Sequence, residues 1–163
     1  MLQQSVEGPD DIEDVVESVL RASRALVAVA ARSIAGVDGA VTLPQFRMLV
    51  TLAARGPLNV RSLAEELGVH PSTASRMCDW LVDRRLIGRE MSATSRREVT
   101  VRLTPAGSRL LTRVTTIRRR EILAIVAKVP APLRPAMVGA LQAFSDAAGE
   151  VPDQAWTAGW DRV

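Results

Sequence analysis

The segment LAEELGVHPSTASRMCDWLVDRR, residues 63–85, constrains the fold more than any other, because it places two helices on either side of a short turn. Gly68 ends the first helix, since glycine readily adopts the left-handed conformation found at helix ends. Pro71 opens the second, because proline in a first turn loses no helical hydrogen bond. The segment therefore predicts a helix-turn-helix with Val69 and His70 in the turn.

Two faces are predicted for the second helix, which runs to about Arg85. The inward face is apolar and consists of Ala74, Met77, Cys78, Leu81 and Val82. The outward face carries Ser72, Thr73, Ser75, Arg76 and Asp79. Short hydroxyl residues bury little and are moderate helix formers, so their concentration in the first turn indicates a contact surface. The alternative interpretation is an ordinary capped helix whose polar side faces solvent.

The hydrophobic period changes after Arg85. LIGRE is a short apolar run, and EVTVRL alternates strictly, with one side formed by Val99, Val101 and Leu103. Both patterns predict strands. The segment MSATSRR joins them into a hairpin whose tip carries Arg96 and Arg97. A hairpin directly after a helix-turn-helix predicts a winged helix-turn-helix with a two-stranded wing.

Helical periodicity continues on both sides of this lobe. Side chains suited to cap a helix start stand at Asp10, Thr42, Asn59 and Thr104. Gln45 completes a capping box with Thr42, and a last helix runs from about Leu133 to about Gly149. The predicted fold class is therefore mainly α (α+β).

The chain divides into four parts on this basis. They are an N-terminal dimerisation helix (1–37), the winged helix-turn-helix DNA-binding lobe (38–104), C-terminal dimerisation helices (105–150) and a loosely ordered tail (151–163) with Trp156 and Trp160. The first and last helices carry apolar stripes that a lobe of about 60 residues cannot cover on both sides. A two-fold homodimer would bury these stripes together. It would also hold the second helices of its two helix-turn-helix motifs, one in each subunit, about 34 Å apart.

Charge is concentrated in the middle of the chain. Residues 55–120 carry 14 Arg and 6 acidic residues, net +8, whereas residues 1–54 and 121–163 have net charges of −3 and −2. A basic segment of this kind is typical of a module that binds a polyanion. Because the chain has one His, one Cys, no Tyr and no Gly-rich phosphate loop, we expect neither an enzyme nor a metal or cofactor site.

No segment indicates export or membrane insertion. The longest apolar run, ALVAVAA at residues 25–31, is too short to cross a bilayer. The acidic N-terminus lacks the order of a secretion signal, and a single cysteine excludes an internal disulfide framework. We therefore expect a cytoplasmic protein without membrane contact.

Double-stranded DNA is the polyanion that best fits this arrangement. The N-terminal residues of the second helix reach base edges in the major groove, and an arginine such as Arg76 binds guanine O6 and N7. Of the two wing arginines, one is expected to enter a narrow minor groove and the other to stabilise the loop. The predicted DNA-binding residues are His70, Ser72, Thr73, Ser75, Arg76, Asp79, Arg96 and Arg97. The alternative is a winged helix that binds another protein without sequence-specific DNA binding.

The region from Thr42 to Gly107 closely resembles the MarR family of bacterial transcription regulators. The motifs that carry the resemblance are LAEELGVHPSTASR, DRRLIGR and RREVTVRLTPAG. The resemblance implies a homodimer with interlocking terminal helices and, in many members, a repressor released from a palindromic operator by a small aromatic or anionic effector. Two positions depart from the family: Ser95 replaces an aspartate that usually stabilises the wing, and Trp80 stands where a basic residue is frequent.

The sequence marks Cys78 and the effector pocket less clearly. Cys78 lies on the inward face with no adjacent His or Lys to lower its pKa, so we expect an inert core thiol rather than a redox sensor. The resemblance implies a pocket between the lobe and the dimer helices, with Arg32 and Arg47 as candidate anion partners. Arg118–Arg120 are expected on exposed helix surface, and lining of an anion pocket is the alternative.

Overall fold

A computed structural model describes residues 12–37, 41–91 and 99–150. Within these ranges the helices are α1 (Ile12–Ala35), α2 (Leu43–Arg55), α3 (Val60–Leu67), α4 (Pro71–Asp83), α5 (Pro105–Val126) and α6 (Arg134–Ala147). The strands are β1 (Leu58–Asn59), β2 (Ile87–Met91) and β3 (Val99–Leu103). This order confirms a mainly α fold containing a winged helix-turn-helix. The predicted cap at Asp10, the wing tip with Ser95, Arg96 and Arg97, and the tail with Trp156 and Trp160 lie outside the described residues.

The helices of the lobe start and stop where local chemistry predicted. Thr42 and Gln45 form the expected capping box, with Gln45 Oε1 accepting from the Thr42 N–H at 2.8 Å. Asn59 Oδ1 accepts from the Ser62 N–H at 2.8 Å and caps α3. Gly68 ends α3 in the left-handed region, with φ 64° and ψ 35°. These contacts fix the starts of α2 and α3 and the turn that leads from α3 to α4.

The sheet has one strand more than the predicted wing. Strands β2 and β3 form the expected antiparallel hairpin, in which Ile87 faces Leu103 and Met91 faces Val99. On its other edge β3 pairs antiparallel with β1, where Leu58 faces Val101. Strand β1 has only two residues, too few to show an alternating pattern, so its pairing was not predictable from local sequence. It anchors the wing to the connection between α2 and α3.

Most of the core lies inside the lobe, and α1 and α5 add the rest. Its largest fully buried side chains are Met48, Leu49, Leu52, Leu63, Leu81, Ile87, Val101 and Leu111. Burial of each such side chain contributes about 1.5–3 kcal/mol relative to exposure. Helices α2, α3 and α4, the sheet and the first half of α5 all contribute to this cluster, so the second helix of the helix-turn-helix is held rigidly from behind.

Most apolar side chains of the terminal helices α1 and α6 are exposed to solvent. Of the 24 residues in α1 only Val29, Ser33 and Ile34 are buried, and α6 buries none. Exposed apolar side chains lie along both helices: Ile12, Val15, Val16, Leu20, Leu26, Val27, Val138, Leu141 and Phe144. None of the described helices alone is long and apolar enough to span a membrane. Helix α5 and the helical segment from Ala131 to Ala147 are long and apolar enough only when taken together, and they are bent by 118° relative to each other.

Candidate nucleic-acid interface

Helix α4 presents its first turn to solvent. On its inner face Ala74, Cys78 and Leu81 are fully buried, while Met77 and Val82 pack half-buried against the core. On its outer face Ser72, Arg76 and Asp79 are exposed, and Thr73 and Ser75 are half-buried. The predicted division of this helix into an apolar and a polar face is confirmed.

His70 caps α4 with its side chain. Its ring atom Nδ1 accepts a hydrogen bond from the Ser72 backbone N–H at 3.3 Å and lies 2.8 Å from Ser72 Oγ. The His70 carbonyl oxygen accepts from the backbone N–H groups of Thr73 and Ala74, at 2.9 and 3.1 Å. One residue thus satisfies three backbone donors at the start of α4, which leaves the neighbouring hydroxyl side chains facing outward.

An ion pair attaches the wing to α4. Arg89 of β2 donates through Nη2 to the Asp79 carboxylate of α4, and across the hairpin Arg102 Nε lies 2.7 Å from Glu90 Oε2. Both pairs are partly exposed and contribute little to stability, but the first links β2 directly to α4. Asp79, predicted as a DNA-binding residue, therefore has a protein partner. Arg89 is absent from the predicted set because no local pattern indicates that β2 approaches α4.

Trp80 lies half-buried against the core. The guanidinium carbon of Arg84 lies 4.5 Å from the centroid of its ring, a cation–π contact. Arg84 is itself exposed. The surface at this position therefore still carries a positive charge, supplied by Arg84 rather than by residue 80.

Cys78 behaves as part of the core. The thiol is fully buried, and its Sγ lies 3.7 Å from Met48 Sδ. Burial raises the pKa of the Cys78 thiol from 9.0 to about 11, although the nearby Arg89 guanidinium lowers it in part. Because the thiolate is the reactive form, this environment opposes oxidation chemistry and agrees with the expected inert core thiol.

We expect the raised pKa of Cys78 to make the protein less stable in alkali. The thiol ionises at pH 9.0 in the unfolded chain and at about pH 11 in the folded one, so its contribution is fully present below pH 9 and is lost as the pH rises from 9 to 11. Two pKa units correspond to about 2–3 kcal/mol of unfolding free energy. Urea titrations at intervals between pH 8 and 11 would measure this loss.

Cys78→Ala provides the control for that loss. The sequence has no Tyr and one Lys, so few other groups titrate in this pH range. The variant should be less stable overall because of the small cavity, but its unfolding free energy should change little between pH 9 and 11. An equal decline in the variant would show that another group causes the alkaline instability.

A cavity of about 490 Å³ lies behind α4, between the lobe and the terminal helices. Its lining includes Ala30 of α1, Phe46 and Arg47 of α2, Met77 of α4, Arg118 of α5 and Glu150. Its wall is mostly apolar, with two arginines and one carboxylate. The cavity therefore suits a small ligand with an apolar body and a charged group.

The arginines predicted near a pocket have different positions. Arg47 lines the cavity, where its Nη2 lies 3.5 Å from Glu150 Oε1. Arg32 is not among the lining residues and instead pairs with Glu121 at 2.7 Å. Arg118, expected on exposed surface, is half-buried in the cavity wall with its guanidinium carbon 5.0 Å from the Phe46 ring centroid. The triple-arginine run gave the only sequence signal for it, and the packing of α5 on α2 selects which of the three turns inward.

Within residues 12–37, 41–91 and 99–150 no group of three His, Cys, Asp or Glu is placed to hold a metal ion. The arrangement offers hydrogen-bond donors, acceptors and positive charge on the outer side of α4. These groups can bind a structured polyanion.

The chain is similar in sequence and fold to known proteins. A family model described as MarR family matches residues 41–99. The structure of RV1404 from Mycobacterium tuberculosis is 44% identical, with a TM-score of 0.82, and the match covers 90% of this chain and 99% of that one. A MarR family protein from Bacillus stearothermophilus is 21% identical, with a TM-score of 0.73 over 84% of this chain and 95% of that one, which is a likeness of fold.

A curated relative is similar over a shorter region. The uncharacterised HTH-type transcriptional regulator YhjH of Bacillus subtilis is 31% identical over 75 residues, which are 46% of this chain and 43% of that protein. The match therefore spans less than half the length of this relative. The winged lobe, the matching family model and the similarity to almost the whole of RV1404 show that the chain belongs to the MarR family of transcriptional regulators.

Proposed function

We propose that this protein is a homodimeric repressor that binds a palindromic operator in double-stranded DNA and is released by a small effector. The observation that carries the proposal is the exposed start of α4, where the side chains of Ser72 and Arg76 face solvent. The Asp79–Arg89 ion pair connects the wing to the same helix. In a helix-turn-helix this turn enters the major groove. The S. aureus regulator MepR, 20% identical, is known in a structure bound to an oligodeoxyribonucleotide.

The proposed DNA contacts divide between bases and backbone. The guanidinium of Arg76 has the donor geometry to bind guanine O6 and N7, and the short hydroxyl side chains allow the helix to approach the base edges. Asp79 acts through Arg89 by holding the wing. For the wing tip we keep the sequence-based proposal that Arg96 or Arg97 enters the minor groove. The proposed direct contacts on α4 are Ser72, Thr73, Ser75 and Arg76, and His70 lies beside them as the cap of the helix.

A second copy of the chain is the proposed cover for the terminal helices. The exposed fraction is 77% for Ile12, 50% for Leu20 and 54% for Phe144, which is unfavourable for side chains of this size in water. Because the buried residues of α1 all lie in its last part, the exposed apolar side chains of its first part are available to a partner. A two-fold dimer would also place two α4 helices about 34 Å apart, one DNA turn.

The cavity behind α4 is the proposed effector site. In the cavity lining, Phe46 could contact an aromatic ring, and the arginines Arg47 and Arg118 could pair with a carboxylate. The DNA binding of BpsR from Bordetella bronchiseptica, 23% identical, is regulated by 6-hydroxynicotinic acid, according to its structure. Because α1, α2, α4 and α5 all line the cavity, a bound ligand would change how α4 sits on the dimer helices. A preference of about 1.4 kcal/mol for the non-binding arrangement lowers DNA affinity tenfold.

Selection of bound sequences from a random duplex pool tests this function. We expect enrichment of an inverted repeat whose half-sites are centred one DNA turn apart. Arg76→Ala should lose about 1–3 kcal/mol of discrimination at one base pair in each half-site, because a bidentate contact is removed. Affinity for each selected sequence and its single-base variants gives this quantity directly.

Arg24→Ala is the matched control for Arg76→Ala. Arg24 is exposed on α1, outside the lobe, so its loss removes the same charge without removing any of the proposed DNA contacts. If Arg76→Ala weakens all sequences by one factor, Arg76 contacts the DNA backbone. If the protein enriches no sequence at all, the proposed function is wrong and a protein-binding winged helix becomes the better interpretation.

A further inference from the structure

The cap of α4 has an unusual hydrogen-bond arrangement. A single ring atom, His70 Nδ1, lies 3.3 Å from the Ser72 backbone nitrogen and 2.8 Å from Ser72 Oγ. The backbone N–H can only donate, so Nδ1 must accept in order to satisfy this contact. If Nδ1 carried the proton, two N–H groups would face each other. The cap therefore places the proton of the neutral imidazole on Nε2.

This tautomer determines the direction of the Ser72 hydroxyl. A hydroxyl has one proton to donate and two lone pairs that accept. Because Nδ1 has no proton, the 2.8 Å contact requires Ser72 O–H to donate to His70. The exposed side of Ser72 Oγ is then left with lone pairs alone.

We propose that His70 is a positioning residue that turns Ser72 into a hydrogen-bond acceptor, so that Ser72 recognises a base amino group in the major groove. This inference rests on the proposed DNA-binding function. Only adenine N6 and cytosine N4 offer donors in the major groove, whereas guanine N7 and O6 and thymine O4 are acceptors. An acceptor at Ser72 therefore selects adenine or cytosine.

The same arrangement excludes a phosphate contact by Ser72. Phosphate oxygens are acceptors, and an oxygen whose proton points to His70 cannot donate to them. Thr73, the next hydroxyl residue, bonds to His70 through its backbone N–H, which donates to the His70 carbonyl oxygen. Its hydroxyl is free to donate or accept, so the two adjacent hydroxyls differ in chemistry because of His70.

Base preferences of four proteins test this assignment: the wild type, Ser72→Ala, His70→Asn and Thr73→Ala. Asparagine is a good N-cap residue, so His70→Asn keeps α4 capped but removes the ring atom that holds the Ser72 hydroxyl. We expect Ser72→Ala to reduce a preference for adenine or cytosine at one base position by about three- to tenfold, the value of one hydrogen bond. His70→Asn should reduce the preference at that same position by a similar factor.

Further measurements separate positioning from stability and from failure of the function itself. Thermal unfolding of His70→Asn should match the wild type, and Thr73→Ala should leave the Ser72-dependent position unchanged. The proposal is overturned if His70→Asn leaves the Ser72-dependent preference intact, or if that position prefers guanine or thymine. If the wild type selects no sequence, the proposed function fails and this inference fails with it. If it selects sequences that Ser72→Ala does not alter, only the role of Ser72 and His70 is refuted.

Discussion

Affinity for duplex DNA should fall by about 10³- to 10⁵-fold when the salt concentration rises from about 50 to 200 mM. A lobe that neutralises about 6–10 phosphates releases about as many condensed counterions. Each released counterion adds about one unit to the slope with which the logarithm of affinity falls against the logarithm of salt concentration. Residues 55–120 carry a net charge of +8, enough for contacts of this number in each protomer. Fluorescence anisotropy with a labelled duplex at five or six salt concentrations gives the slope.

Single arginine variants assign this salt dependence to parts of the surface. Arg96→Ala should lower the slope by about one unit, since one phosphate contact is lost. Arg24→Ala, outside the lobe on exposed α1, should leave the slope unchanged. A shallow slope for the wild type would contradict DNA binding and favour a winged helix that binds another protein. An unchanged slope in Arg96→Ala would exclude Arg96 from the interface while leaving the role of α4 open to the selection experiment.

Local chemistry made much of the lobe predictable. Thr42, Asn59 and Gly68 fix helix ends through contacts with residues three or four positions away, and such contacts depend only on the nearby sequence. The two faces of α4 follow from helical geometry. The alternation of β3 likewise places Val101 in the core.

Contacts between distant segments were not predictable in the same way. The pairing of β1 with β3 depends on where α2 brings a two-residue strand. The Asp79–Arg89 pair and the position of Arg118 in the cavity both depend on helix and sheet packing. The sequence led us to expect Arg118–Arg120 on exposed helix surface, and nothing in the periodicity of α5 indicates that Phe46 lies opposite Arg118. The contacts that would transmit an effector signal in the proposed function are therefore the ones that sequence reasoning leaves open.

The junction between α4, β2 and α5 is the point where the lobe meets the C-terminal helices. Thr104 Oγ1 donates toward the carbonyl oxygens of Arg85 and Leu86, at 2.7 and 3.0 Å, and accepts from the Gly107 N–H at 3.1 Å. The Thr104 N–H also donates to the Leu86 carbonyl at 3.1 Å. Thr104 thus connects the end of α4, the start of β2 and the first turn of α5 through backbone groups, and Gly107 lies among them.

Gly107→Ala should destabilise the protein by about 4 kcal/mol or more. An added Cβ would lie 2.2 Å from the Leu86 carbonyl oxygen and 2.7 Å from Leu103 Cδ1. The first neighbour is backbone, so α5 would have to move away from β2 and break the Thr104 contacts. A loss of this size is a large part of the 5–15 kcal/mol that typically separates folded and unfolded states. Chemical denaturation of the purified variant measures it.

Gly139→Ala is the control, because it is the same substitution in a helix with no atom within 4 Å of the new Cβ. Alanine is the better helix former, so this variant should gain about 0.5–1 kcal/mol. Opposite signs for the two substitutions would show that the close approach of α5 to Leu86, rather than helix propensity, governs Gly107. If Gly107→Ala folds with wild-type stability, α5 is not held against β2. A ligand bound in the cavity between α1 and α5 could then change the position of the wing only by moving α4.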